Sequence, residues 1–145
     1  MNTEIIKYKP ENKNEILTIW ETSVLATHSF LSHDDFIEIK VLLQSFNFEE
    51  LNVFCQVEKG KIVGFIGVQE NKIEMLFIEP ESIGKGFGKD LIDFSVLHQN
   101  INQVDVNEQN IPAIKFYEKY GFEVYGRTEK DSLGKDYPIL KMRLN

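Results

Sequence analysis

The chain has 145 residues, enough for one domain with a substantial core, and its 42% hydrophobic and 12% aromatic content is that of a folded globular protein. Sixteen Lys+Arg against 23 Asp+Glu give a formal net charge of −7, which argues against nonspecific nucleic-acid binding and suits a cationic partner such as an amine. No apolar run approaches the ~20 residues of a membrane span, the opening MNTEIIKYKPENK has no signal-peptide core, and a single cysteine with three histidines lacking ligand spacing implies neither a disulfide framework nor a metal.

A cytoplasmic protein is the expectation, without membrane, metal or nucleic-acid partners, as monomer or homodimer. In chain order, Glu4–Lys9 reads as a strand ended by Pro10. Lys13–Ala26 reads as a helix burying Ile16, Ile19, Trp20, Ser23 and Val24, with Asn12 and Glu15 as cap and box. Ser32, with Asp35 three positions on, starts a second helix whose apolar face is Phe36, Ile39, Leu42, Leu43 and Phe46. The polar-aromatic junction between the two helices, Ala26–Leu31, is either one wall of a substrate site or plain helix packing.

Asn52–Glu58 and Lys61–Gln69 are strands joined by a Lys59-Gly60 hairpin turn. Asn71-Lys72 leads into a third strand, completing an antiparallel meander in which Cys55 is a small buried residue. A helix to about His98 separates this strand from Ile101–Val106, so the two strands run parallel. Ile111-Pro112-Ala113 opens a helix capped by Gly121, and Phe122–Thr128 and Ile139–Leu144 are the last strands. The sum is one α/β domain over residues 1–145.

Lys72–Ile92, KIEMLFIEPESIGKGFGKDLI, carries the densest signal. An apolar strand stops at Pro80, glycines recur at 84, 86 and 88, and Leu91, Ile92, Phe94, Ser95 and Leu97 then take helical spacing. Such a turn offers close backbone approach, unpaired amides and the positive end of a helix dipole. Lys85 and Lys89 add charge, so the ligand is a phosphate or pyrophosphate, unless this is an ordinary glycine turn. Two familiar phosphate loops fail by counting. The sixth position from Gly84 or Gly86 is Lys89 or Leu91, not glycine, and no glycine stands five residues after any of the three.

What does fit is the acyl-CoA loop. The segment resembles motif A of the GNAT N-acetyltransferase superfamily, Q/R-x-x-G-x-G/A, with Gly86 and Gly88 on its glycine positions and Ile83 where Arg or Gln is usual. Asn110-x-x-Ala113-x-x-Phe116-Tyr117-x-x-x-Gly121-Phe122 is similar to motif B at every fixed position. Thr27-His28 with Phe30-Leu31-Ser32, Val106–Asn110, Gly126–Glu129, Gly134 and Tyr137-Pro138 look like the YjaB-like branch of bacterial GNAT enzymes.

The resemblance implies a mixed, mostly antiparallel sheet of about seven strands with about four helices, its two parallel central strands splayed into a V-shaped acyl-CoA cleft. It implies acetyl-CoA as acetyl donor and an unidentified primary amine, of a small molecule, peptide or protein, as acceptor. The backbone of Leu76, Phe77 and Ile78 would pair with the pantetheine arm. Residues Ile83, Gly84, Lys85, Gly86, Phe87, Gly88 and Lys89 would hold the pyrophosphate. Asn107, Asn110, Ala113, Phe116 and Tyr117 would line the remainder.

Transfer from a thioester to an amine is largely a matter of holding both in line, with one proton to remove and one to deliver. Tyr117 falls on the motif position that faces the CoA sulfur and is the expected acid. The base is Glu74, His28 or water; β alternation would put Glu74 on one face with Leu76 and Ile78. His28, Phe30, Arg127 and Tyr137 are the acceptor-side candidates. A CoA-binding or sensing module with weak catalysis is the alternative, and Ile83 is the feature that speaks for it.

Overall fold

The computed structural model describes residues 3–144. Seven strands form one mixed sheet in the order β1-β2-β3-β4-β5-β7-β6. These are β1 (Thr3–Lys7), β2 (Asn52–Glu58), β3 (Lys61–Gln69), β4 (Lys72–Ile78), β5 (Gln103–Asn107), β6 (Phe122–Thr128) and β7 (Ile139–Leu144). Four α-helices accompany them: α1 (Lys13–Thr27), α2 (His33–Ser45), α3 (Phe87–Gln99) and α4 (Ile111–Tyr120). The expected α/β architecture is found, with β4 and β5 as its parallel pair.

Helices cover both faces of the sheet because each carries one apolar stripe that must be buried. On one face, α1 sets Ile16, Ile19, Trp20 and Val24 against Val53, Cys55, Val57, Ile62 and Phe65 of β2 and β3. Trp20 stacks on Phe36 of α2 with centroids 5.4 Å apart and planes 8° from parallel, which fixes α2 upon α1. On the other face, Leu91 and Ile92 of α3 and Tyr117 of α4 pack on Ile66, Val68, Ile73, Val104, Val106 and Met142. Leu91 and Ile92 are fully buried, so each contributes about 1.5–3 kcal/mol of apolar transfer energy.

Local chemistry explains most boundaries. The Ser32 hydroxyl accepts from Asp35 N–H at 3.1 Å and starts α2 as expected. Lys59 and Gly60 both adopt positive φ, as a two-residue hairpin turn requires.

Four expectations need correction. Asn12 does not cap α1; its side chain accepts from Lys9 N–H at 2.9 Å and closes a single 3-10 turn ahead of the helix. The second tight turn is Glu70-Asn71, because Lys72 already pairs with Gln69. Leu42 of α2 is exposed, since α2 buries only Phe36 completely and has no layer above it. Finally, α3 begins at Phe87, inside the glycine run, because Gly86 is its left-handed N-cap residue.

Candidate active site

The parallel pair is joined over only two residue pairs, Lys72↔Gln103 and Ile73↔Val104. Beyond them β4 stays with β3 as far as Ile78, while β5 follows β7 through Asn107. A wedge therefore opens between Met75–Ile78 on one side and Asp105–Asn107 on the other. Its cause is a β-bulge. Ile73 pairs with Val68 and Met75 with Gly67, so Glu74 is the additional residue on β4 and bends the strand.

The bulge also overturns the alternation expected for β4. Ile73, Leu76 and Ile78 pack into the core beneath α3 and α4, and Met75 and Phe77 into the core beneath α1 and α2. Glu74 joins neither core. It is exposed, with its carboxylate 3.9 Å from the Lys72 ammonium, which also holds Asp105 at 3.0 Å.

The wedge presents backbone that β3 does not pair. Glu79 N–H donates to Val63 O at 2.8 Å, so the Ile78 carbonyl, on the other side of that peptide, points away from β3. Leu76, two residues earlier, turns the same way. The Ile78 carbonyl is taken by the Ser23 hydroxyl of α1 at 2.7 Å, which ties the first helix to the rim of the opening.

At its outer end stands the glycine loop. Gly84 and Gly86 have φ of 91° and 88°, conformations that side-chain-bearing residues rarely adopt, and a Cβ on either would meet nothing within 4 Å. Gly88 serves differently. A Cβ there would lie 3.1 Å from Cζ of Phe116, so its absence lets the first turn of α3 sit against α4. The first amides of α3 thus face outward beside the wedge. Lys85 and Lys89 already hold carboxylates, Glu58 at 3.4 Å and Asp93 at 2.8 Å. Such exposed pairs are weak and exchange readily for a phosphate. Ile83 is 58% exposed and packs on nothing in the core.

On α4, Asn110 caps the helix by accepting from Ala113 N–H at 3.3 Å, which leaves its amide NH2 to donate elsewhere. Asn107 Oδ1 accepts from Gln109 N–H at 2.9 Å and shapes the exit of β5. Tyr117 is buried between Phe116 and Phe122, with centroids at 5.3 and 5.5 Å. Burial drives its phenol far above the ordinary value, so it stays protonated at any physiological pH.

Across the opening, four rings stand in a row. Tyr137 meets Phe30 at 6.3 Å, Phe30 meets His28 at 5.1 Å, and His28 meets Phe77 of β4 at 6.5 Å. Three of the four acceptor-side candidates are thereby brought together, and burial holds His28 below its ordinary pKa. Arg127 is not among them; it pairs with Glu108 beyond the end of β5. Asp35 of α2, whose sequence signal is only that of a partner to the Ser32 cap, joins this group. Its carboxylate accepts from the Tyr137 hydroxyl at 2.6 Å and pairs with Lys135 at 2.9 Å, drawing the β6–β7 loop onto α2. Pairing across 102 residues leaves no local sequence signal.

Two other features stand apart. A hollow of about 370 Å3 between α1 and the start of β3 is lined by Glu15, Thr18, Lys61 and Glu79, and holds none of the site residues. Cys55 is fully buried, and burial pushes its thiol up to about 12, so it is no nucleophile. Among the described residues no helix is long and apolar enough to cross a membrane, and no three metal-ligating side chains gather.

A seven-stranded mixed sheet parted at its parallel pair, with a glycine loop at the open end, is the fold of the GNAT acetyltransferases. A family model described as Acetyltransferase (GNAT) domain matches residues 23–144. The chain is 36% identical over 142 residues to "Peptidyl-lysine N-acetyltransferase YjaB" of Salmonella typhimurium, covering 98% of each. It is 37% identical to the Escherichia coli protein of the same name, covering 98% of this chain and 97% of that one. The solution structure of apo-form YjaB from Escherichia coli superposes with a TM-score of 0.89 at 36% identity, covering 99% of this chain and 97% of that one. The chain belongs to the GNAT acetyltransferase family.

Proposed function

We propose that this chain is an acetyl-CoA-dependent N-acetyltransferase whose acceptor is the side-chain amine of a lysine in a peptide or protein. The observation that carries the reading is the wedge between β4 and β5, along one side of which the backbone of Leu76 and the N–H of Ile78 turn away from β3, with the Gly84–Lys89 loop at its mouth. The acceptor class rests on the names borne by the two 36–37% identical relatives. A net charge of −7 suits a cationic acceptor.

The chain's residues divide the work. Leu76 and Ile78 offer backbone groups to the pantetheine arm as a neighbouring strand would. The first amides of α3 and the lysines Lys85 and Lys89 receive the pyrophosphate. The donor supplies an activated acetyl thioester. Tyr117, held protonated by burial, delivers a proton to the departing sulfur. The Asn110 amide and Asn107 border the arm, with Ala113 and Phe116 beneath. The proton acceptor on the acceptor side is Glu74, His28 or water, with Phe30 and Tyr137 as its aromatic wall.

The test is an acetyl-CoA titration by calorimetry, followed by thiol release with a peptide whose N-terminus is blocked and whose one amine is an internal lysine. Binding with release, lost when that lysine is arginine, is the expected result. Release only with small free amines would overturn the acceptor class. Binding without release for any amine would leave a CoA-binding module.

A further inference from the structure

The junction between α1 and α2 holds a hydrogen-bond chain that settles a protonation state. Thr27 Oγ1 lies 2.7 Å from Ser23 O and, equally, 2.7 Å from Nδ1 of His28. A threonine hydroxyl has one hydrogen to give. Ser23 O has none, so the bond to it must use the Thr27 proton. Toward His28 the hydroxyl is then an acceptor, and Nδ1 must carry the ring hydrogen. The other ring nitrogen, Nε2, is left with a free lone pair. A free neutral histidine side chain favours the opposite tautomer, Nε2–H, so the contact with Thr27 has a definite, readable consequence.

We propose that Thr27 is a positioning residue that locks His28 in the Nδ1–H tautomer, and that Nε2 of His28 is the base that takes the proton from the acceptor amine. The role in catalysis rests on the acetyltransferase reading above; the tautomer does not.

Four features of the surroundings agree. The lock is anchored to the site, because Ser23, whose carbonyl receives the Thr27 proton, also donates its hydroxyl to Ile78 O on the rim of the wedge. The ring packs on Phe77, whose chain neighbours Leu76 and Ile78 line that wedge. Its direct companions Thr27, Phe30 and Phe77 are uncharged, and burial favours the neutral imidazole needed of a base. His28 also ends α1, donating its backbone N–H to Val24 O at 2.8 Å, so the negative end of the helix dipole eases the positive charge once a proton arrives. Glu74, the rival, is exposed and engaged with Lys72.

The proton count closes. An alkylammonium and a thioester yield an amide, a thiol and one proton, as the N–C bond forms and the C–S bond breaks. His28 Nε2 receives that one proton and passes it to solvent. Tyr117 gives a proton to sulfur and is restored by the second proton that the nitrogen loses.

The first measurement is a long-range 1H–15N spectrum of the free protein near pH 7.5, which shows which ring nitrogen of His28 bears hydrogen. Predominant Nδ1–H is expected; predominant Nε2–H overturns the lock. Thr27→Val should shift the ring toward Nε2–H and lower kcat by about tenfold or more, with acetyl-CoA affinity unchanged, while Thr27→Ser restores both spectrum and rate. His28→Gln should lower kcat by about 10²-fold or more. Unchanged kcat in either Thr27→Val or His28→Gln overturns the base. If the Nδ1–H tautomer is present yet no lysine peptide is acetylated, the base role falls with the acetyltransferase reading and the lock alone stands.

Discussion

A phenol serves as an acid only while it keeps its proton, and burial keeps Tyr117 protonated. Tyr117→Phe keeps the ring that Phe116 and Phe122 pack against, so acetyl-CoA should still bind while turnover falls by about 10²-fold or more, read by calorimetry and by thiol release. Unchanged turnover would remove Tyr117 from the chemistry. At Ile83 the opposite change is informative. The side chain is exposed and supports no core, so Ile83→Arg should tighten acetyl-CoA binding by about tenfold, the worth of one hydrogen bond to a charged group, and more so at low salt. At this scale the sequence showed which residue types were in play, through two motifs with fixed spacing. It did not show their partners. The Thr27–His28 contact, the Asp35–Tyr137 bond and the Arg127–Glu108 pair each depend on where other elements come to rest.

Among elements, α3 shows most plainly how packing and binding are set together. Gly88→Ala adds a methyl that improves helix propensity by about 1 kcal/mol but stands 3.1 Å from the Phe116 ring. The two effects oppose each other in stability, so the melting temperature should move by only a few degrees, roughly what 1 kcal/mol commands. Affinity has no such offset. If the first turn of α3 is displaced, acetyl-CoA binding should weaken by about tenfold, one backbone hydrogen bond's worth; unaltered affinity would mean that Phe116 alone yields. The elements themselves were largely legible. The bounds of β2, β3, β6 and β7 follow directly from apolar runs between turn signals, and all five expected buried positions of α1 are buried. The bulge at Glu74 was not legible, because KIEMLFI reads as an unbroken strand and only the register against β3 reveals the additional residue. The exposed face of α2 escaped for a related reason: periodicity shows a stripe but not whether anything covers it.

For the whole molecule, the latch between Tyr137 and Asp35 matters most, because it joins the last β-hairpin to the second helix across the mouth of the site. Hydrogen bonds from Tyr137, Lys135 and Ser32 hold the Asp35 carboxyl at about 2, against an ordinary 3.8. A folded pKa below the unfolded one contributes stability that is complete above the unfolded value and is lost as pH falls through the folded one. The latch should therefore persist to about pH 4 and release toward pH 2. In Tyr137→Phe the Asp35 midpoint should climb toward its ordinary value in a carboxyl NMR titration, with the Phe30 contact retained. A midpoint that stays put would assign the hold to Lys135 and Ser32. The parting of β4 from β5 has a consequence of another kind. Unpaired strand borders on a protein surface invite pairing with other chains and hence aggregation. Here the two bare borders look at one another across a narrow gap, closed at one end by their own two residue pairs. A foreign strand has no broad flank on which to dock, so the molecule keeps hydrogen-bonding groups ready for a slender guest while presenting little adhesive border to its neighbours.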